Sequence, residues 1–321
     1  YRAKSWIAPY SCDLGLIGSF KLFKDLAAWA DIVQIHFPWP FADIMNILSR
    51  HKKPKIMTYH SDVVGKGLIG ILYAPLLRKT LSSMDAVVTT SPRYAETSPF
   101  LKLIVPKDKL KSINYGVHEH SYESFFTDSE RVDVEADFGL EKEKYFLFLG
   151  VLRKYKGLDY LFPASDLSDL PVAIGGSGEL KDYYYEKAKA HENIKMLGHL
   201  TDGEKIALIK NCKGLILPSH LRSEAFGIVL LEASMLSKPL ISCEIGTGTS
   251  YANLDQVTGY VVEPEKPEQL SSAMNKISRD NELCRQMGLN ARDRYDTMFS
   301  GSNVGKSYTL LYKEILQKYN A

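Results

Sequence analysis

Short apolar runs alternating with longer stretches of helical spacing limit what this chain can fold into more than any other feature. In the second half the runs fall at Tyr145–Leu149, Pro171–Ile174, Asn193–Leu197, Gly214–Leu217 and Pro239–Cys243. Bounded by turn residues, they read as short buried strands. Leu180–Ala190 and Thr201–Lys210, between them, have helical spacing. Strand and helix in regular alternation is the signature of a doubly wound parallel sheet in an α/β fold. The first half follows the same pattern at Ile32–His36, Lys55–Tyr59 and Ala86–Thr89, with Ser91-Pro92 as a helix start. Asn114–Glu143 is acidic and poor in apolar residues apart from Phe125-Phe126, and reads as a passage between domains. Glu282–Tyr295 and Val304–Tyr319 have no strand after them and are expected to pack back across the molecule.

At 321 residues the chain is long enough for two cores. The expected division is residues 1–120, a passage at 121–143, a second domain at 144–300 and a returning helix at 301–321. A net charge of +2 conceals an asymmetry: residues 1–120 hold 16 Lys and Arg against 9 Asp and Glu, the remainder 24 against 29. A basic first half calls for an anionic partner. Nucleic acid is set aside because no RNP, zinc-finger or arginine-rich pattern is present, which leaves an anionic membrane surface. Val63–Leu81 fits that partner, with leucines and isoleucines interleaved with Lys66, Arg78 and Lys79 as in a basic amphipathic helix. An ordinary packed helix is the alternative, and Pro75 marks a break or a helix start. Cys12, Cys212, Cys243 and Cys284 are scattered with no CxxC, which fits a reducing, cytoplasmic compartment and no structural zinc. No apolar run reaches the ~18 residues of a membrane-spanning helix.

Three loops at strand ends carry residues suited to chemistry. Ser223–Ala233 puts Glu224 just before a helix expected to start near Phe226, and Glu232 nearly two turns inside it. The amides of Phe226, Gly227 and Ile228 would face an anion from a helix N-terminus. On spacing alone, a capping acid and a solvated helical Glu explain the two carboxylates equally well. Gly150–Gly157 holds Arg153, Lys154 and Lys156 between two glycines, a loop suited to a diphosphate. Gly175-Gly176-Ser177-Gly178-Glu179 is small enough to let a ligand approach the backbone.

From Tyr145 to about Glu263 these motifs together resemble the retaining glycosyltransferases of family 4, which have the GT-B fold. The resemblance rests on E-x7-E at Glu224 and Glu232, a loop ending Lys156-Gly157, the Gly-Ser-Gly-Glu turn, Gly246–Thr249 and Thr258–Val262. His36-Phe37-Pro38-Trp39-Pro40, Tyr59-His60-Ser61-Asp62 and Thr90-Ser91-Pro92 are similar to segments of bacterial enzymes that build surface polysaccharides, several of them mannosyltransferases. Two departures stand out. Val151 occupies the position where the family commonly has Arg, so Arg153 is expected to supply that charge. No N-terminal strand with a Gly-rich loop is visible before Ile32, so an N-terminal piece of the first domain is expected to be missing.

The resemblance implies two Rossmann-like domains facing a central cleft and transfer of a hexose from a nucleotide-diphosphate sugar. GDP-mannose is favoured, and the acceptor is a glycan or a polyprenyl-diphosphate-linked chain at the inner face of the cytoplasmic membrane. It implies catalytic roles for Glu224, His60, Lys156 and Arg153. Donor contacts would come from Gly150, Gly176, Ser177, Glu179, His199, Leu200, Ala225, Phe226, Gly227, Ile228 and Glu232. His36, Trp39, Asp62, Lys66, Arg78 and Lys79 would serve the acceptor and the membrane. No cofactor is expected, and the absence of D-x-D agrees with a metal-free reaction. The rivals are a UDP-sugar enzyme and a non-catalytic nucleotide-sugar-binding protein. A dinucleotide oxidoreductase is disfavoured because Gly175–Gly178 lacks the GxGxxG spacing.

Overall fold

The computed structural model describes residues 5–7, 14–15, 18–62 and 67–320. It divides into two compact units, Tyr1–Asn114 with Gly305–Ala321, and Tyr115–Val304.

In the first unit, β3 (Val33–Phe37), β4 (Lys55–Tyr59), β5 (Ala86–Thr89) and β6 (Leu110–Ser112) form a parallel sheet in sequential order. β1 (Ser5–Ile7) and β2 (Leu14–Gly15) form a separate antiparallel pair, which the sequence did not signal. β5 is buried along its whole length, as a strand covered on both faces must be. Ser91 caps the following helix by accepting from the Tyr94 N–H, with Pro92 in the first turn, as the sequence predicts. Pro75 neither breaks nor starts a helix but lies inside Gly67–Ser82. Residues 305–320 of the last helix, Gly301–Asn320, belong to this unit, where Leu311 and Ile315 pack with Ile56, Ala86 and Val88.

In the second unit, β7 (Phe146–Leu149), β8 (Val172–Gly175), β9 (Ile194–Gly198), β10 (Gly214–Leu217), β11 (Leu240–Cys243) and β12 (Gly259–Val262) are all parallel. Their order is β12-β11-β10-β7-β8-β9. Counted from β7 this is 3-2-1-4-5-6, the order of the dinucleotide-binding folds, and it reverses between β7 and β10. Chain connections leave in opposite directions there, which opens a crevice at the carboxyl ends of those two strands. Thr201 and Glu204 form a reciprocal capping box at the helix Asp202–Asn211, which ties down the turn after β9. Residues 121–143 fold into this unit: helices Glu123–Ser129 and Val134–Phe138 lie there, and Tyr122, Phe126 and Phe138 pack against its core.

One buried group in the first unit makes a stability prediction. Asp43, fully buried in the helix Pro40–Ser49, accepts from the Tyr73 hydroxyl, while its other oxygen has no partner among the described residues. Burial lifts its carboxyl from 3.8 to about 6, against the pull of the Tyr73 hydrogen bond. A carboxyl raised on folding stabilises in its protonated form, so its contribution is complete below the unfolded value and lost as pH rises through about 6. The stability of the wild type relative to Asp43→Asn is therefore expected to improve by about 1–3 kcal/mol between pH 7.5 and pH 4. Urea denaturation at the two pH values measures it, and a pH-independent difference contradicts the assignment.

Candidate active site

Two loops flank the point where the strand order reverses. The loop after β7 runs through Gly150 to Gly157, the loop after β10 from Pro218 to Gly227. Lys156 and Glu224, one from each, meet at 2.5 Å with both side chains about nine-tenths buried. Ser219 Oγ donates to the same carboxylate oxygen at 3.1 Å. Glu224 is thus neither a capping acid nor solvated; it joins the two loops. An ion pair this dry depends on the partner of each charge, since either one alone would be left buried and uncompensated.

The rest of the first loop divides its cations. Lys154 pairs with Asp159 at 2.7 Å on the exposed side of the loop, away from the Lys156–Glu224 pair. Arg153 is exposed and has no ion-pair partner among the described residues, which fits the charge expected of it beside Val151. Gly150 and Gly176 bring the first and third loops into contact, for the Gly150 N–H donates to Gly175 O at 3.1 Å. Ser177 and Glu179 are exposed at the same edge.

The second loop ends in Gly227, with φ 83°, as N-cap of the helix Ile228–Met235. The sequence places that helix start near Phe226; it lies two residues later. Glycine offers no capping side chain, so the first amides, those of Ile228 and Val229, are left for a ligand or water. Phe226, expected to contribute its amide, has its side chain in the core. Its ring is 1% exposed and packs edge-on against Tyr115 and Phe299. The Ala225 carbonyl accepts from the Gly248 N–H. Leu200 is likewise a core side chain, buried against the β8 end, while His199 beside it is exposed.

Glu232 is half-buried and accepts from the Tyr122 hydroxyl at 2.7 Å. Burial raises its carboxyl above the usual range, with the Tyr122 hydrogen bond opposing that shift. Tyr122 itself titrates higher than normal because it is buried beside that carboxylate. Sequence reasoning missed Tyr122, which lies 110 residues from its partner in no recognisable motif. In the neighbouring His118-Glu119-His120, Glu119 pairs with Arg292 at 2.8 Å and His120 with Glu123 at 2.7 Å.

In the first unit, His36 and His60 stand at the carboxyl edge of β3 and β4 with Nδ1 and Nε2 2.8 Å apart. Burial lowers both imidazoles, His60 to about 4, and its neighbour His36 lowers it further. Asp62 is corrected as an acceptor contact. Its carboxylate is buried and accepts from Tyr59 at 3.0 Å and Ser98 at 2.6 Å, and its N–H donates to the Tyr94 hydroxyl. It holds the turn after His60. Trp39 is half-buried at the start of the helix Pro40–Ser49. Arg78 and Lys79 are exposed, and Lys66 lies outside the described residues.

Two glycines make the close approach of the loops feasible. Gly157 has φ 75°, and a Cβ there would lie 2.0 Å from Pro218 O; at Gly176, with φ 141°, it would lie 1.9 Å from Gly150 O. Gly157→Ala and Gly176→Ala are each expected to destabilise the chain by about 2–4 kcal/mol in urea denaturation. Gly305→Ala, on an open helix surface, is the control and should change little or stabilise by up to about 1 kcal/mol.

With this geometry established, the comparisons with known proteins agree. Residues 133–294 match the family described as Glycosyl transferases group 1, and residues 3–120 match Glycosyltransferase Family 4. The D-rhamnosyltransferase WbpZ of Pseudomonas aeruginosa is 41% identical over 88% of this chain and 73% of its own length. The O-antigen chain mannosyltransferase C of Escherichia coli is 38% identical over 93% of this chain and 79% of its own. Among solved structures, Anabaena HepE in complex with UDP superposes with a TM-score of 0.76 at 16% identity, covering 92% of this chain and 82% of that one. Sucrose-phosphate synthase of Thermosynechococcus elongatus gives 0.76 at 18%, over 94% and 78%. At those identities the likeness is one of fold, and that fold is GT-B. The switch-point loops, the sequence matches and the two Rossmann-like sheets together make this chain a member of the group 1 glycosyl transferases, a glycosyltransferase of family 4 with the GT-B fold.

Proposed function

We propose that the chain is a retaining, metal-independent hexosyltransferase that moves mannose from GDP-mannose to a hydroxyl of a growing, lipid-linked bacterial surface polysaccharide. The observation that carries this reading is the Lys156–Glu224 contact at the sheet's switch point. A cation suited to a diphosphate and a carboxylate suited to sugar hydroxyls lie side by side at the edge where doubly wound sheets bind ligands, which supports this reading. Two relatives above 35% identity are by name a mannosyl- and a rhamnosyltransferase, which favours mannose, and the O-antigen in one name favours a surface polysaccharide.

In this reading the bond from the sugar C1 to the diphosphate oxygen breaks while the acceptor oxygen bonds to C1 on the same face. The acceptor proton passes to the departing phosphate oxygen. Negative charge grows on the diphosphate, where the Arg153 fork, the Lys156 ammonium and the amides of Ile228 and Val229 are fixed donors. Glu224 holds sugar hydroxyls, Glu232 holds the ribose with Tyr122 orienting it, and His60 serves the sugar. His36 and Trp39 stand on the acceptor side.

Removing a donor of this kind costs about 10²–10³ in turnover. Glu224→Gln and Lys156→Met are each expected to lose at least that factor in sugar transfer, and also to melt earlier because a buried charge is left alone. The double variant Lys156→Met/Glu224→Gln should regain much of the melting temperature and none of the activity. Recovery of activity in the double variant would reduce the pair to a structural tie.

Nucleotide choice is read by thermal shift with GDP, UDP and ADP and their sugars. GDP and GDP-mannose are expected to raise the melting temperature most, in proportion to the logarithm of concentration over Kd. A response to UDP alone would move the assignment to the UDP-sugar enzymes, of which the UDP-bound fold relative is a reminder. Silence toward every nucleotide would remove the donor site from this chain.

The membrane-facing part of the proposal rests on the helix Gly67–Ser82. Its Leu77 and Leu81 are buried, whereas Leu72, Arg78 and Lys79 are exposed on the other side, an apolar residue with two cations facing outward. Anionic lipid attracts such a face at roughly 1 kcal/mol per cation. Arg78→Glu/Lys79→Glu is expected to reduce co-sedimentation with phosphatidylglycerol vesicles at least tenfold. Unchanged sedimentation would exclude this helix as the contact.

A further inference from the structure

The His36–His60 pair has a geometry of its own, and nothing above uses it. The ring centroids are 5.1 Å apart with planes only 12° from parallel, while Nδ1 of His36 and Nε2 of His60 are 2.8 Å apart. Two rings stacked face to face would clash long before their nitrogens came that close. The imidazoles therefore lie edge to edge, almost in one plane, which is the arrangement of a linear N–H···N hydrogen bond.

The backbone makes this arrangement hard to avoid. His36 is paired in register with Thr58, and the His60 N–H donates to Phe37 O at 3.0 Å, so the two Cα positions are fixed across adjacent parallel strands. Below them Phe37 stacks on Tyr59 at 4.5 Å, and both rings are fully buried. After His60 the chain is held by buried Asp62 through Tyr59, Ser98 and Tyr94. A ring at either position has little choice of direction.

The proton count then has a consequence. Each neutral imidazole carries one N–H. If His36 donates from Nδ1, His60 must carry its proton on Nδ1; if His60 donates from Nε2, its Nδ1 is an acceptor and His36 carries its proton on Nε2. The two rings thus change tautomer together. Both histidines are held below their ordinary titration range by burial, which keeps this neutral description valid near pH 7.

We infer that His36 is a positioning residue for His60: it fixes the plane of the His60 ring and couples the tautomers of the two, so that what His60 Nδ1 offers a hydroxyl of the transferred sugar, a donor or an acceptor, is set by the tautomer of His36. This assigns His36 a role other than acceptor contact, and it rests on the proposed sugar-transfer reading only in naming the hydroxyl.

The test uses the full chain labelled with 15N in its histidine side chains. A through-hydrogen-bond 15N–15N coupling between His36 Nδ1 and His60 Nε2 is expected at neutral pH and is lost in His36→Phe, which keeps the ring shape without the nitrogen. Absence of the coupling from assigned wild-type spectra overturns the inference. In transfer assays His36→Phe should lower kcat about 10–100-fold with donor KM within twofold. His36→Asn, whose amide reaches the Nδ1 position, should recover most of that loss. Equal losses in Phe and Asn variants, or no loss in Phe, overturn the positioning role. If the coupling is present but no nucleotide sugar supports transfer by the wild type, the functional reading fails and the positioning of His60 stands.

Discussion

The contact between Lys156 and Glu224 depends on strand order before it depends on either residue. Their loops are 68 residues apart in the chain and become neighbours because β7 and β10 are adjacent in the sheet. In a doubly wound sheet those are the two strands whose following connections leave toward opposite faces. The gap must open there, and whichever polar side chains line it face each other across a narrow space. At a salt-bridge distance in a dry site the two charges need each other, so loop geometry and electrostatics constrain the same atoms. Glycine makes the approach feasible: Gly157 lies where any side chain would enter the Pro218 carbonyl.

The same logic gives different results in the two units. In the second, the polar groups hold the two carboxylates of the site directly, as Ser219 does on Glu224 and Tyr122 on Glu232. In the first, they lie behind the edge that carries His36 and His60. Asp62 holds the turn after His60, and Asp43 with Tyr73 lies under the segment after β3, where the Tyr73 ring stacks against Phe37. Buried carboxylates of this kind are costly unless hydrogen-bonded, and a position that keeps one generally needs the geometry it enforces. Here that geometry is the direction of two imidazoles.

Sequence made the sheets legible because strands buried on both faces are continuous apolar runs with no helical alternative of that length. Lys55–Tyr59, Ala86–Thr89 and Gly214–Leu217 coincide with the observed strands, and the others are within a residue or two at each end. Two of the four edge strands of the parallel sheets escaped: β6 reads Leu-Lys-Ser, and β12 is only half-buried along its middle, so neither shows a clean apolar run. Pro75 misled because its missing N–H costs one hydrogen bond, which a helix of 16 residues tolerates. In the site, Glu224, Lys156 and Arg153 were legible as loop chemistry, but which cation faces which carboxylate was not. Lys154 and Lys156 look equivalent in sequence, and only the fold directs one to Asp159 and the other to Glu224. Asp62 read as an acceptor contact only through the family resemblance of Tyr59–Asp62. The neighbouring Tyr59, with Tyr94 and Ser98 from more than 30 residues on, buries it instead.

The charge asymmetry bears on how such a site must work. Residues 121–321 carry a net charge of −5, yet they hold the loops suited to an anionic donor. At physiological ionic strength fields are screened beyond about 8 Å, so the acidic surroundings neither attract nor repel a nucleotide strongly from afar. Binding of an anion there would have to come from short-range, preoriented groups: the Arg153 guanidinium, the buried Lys156 ammonium and the uncapped amides behind Gly227. Donors of that kind lose little by reorganising when charge develops on a leaving group, which is what a transferase needs from them. The basic first half has the opposite character, with cations such as Arg78 and Lys79 exposed to solvent. The chain's near-zero net charge is therefore the sum of two halves of opposite sign, 16 Lys and Arg against 9 Asp and Glu in residues 1–120 and 24 against 29 in the remainder.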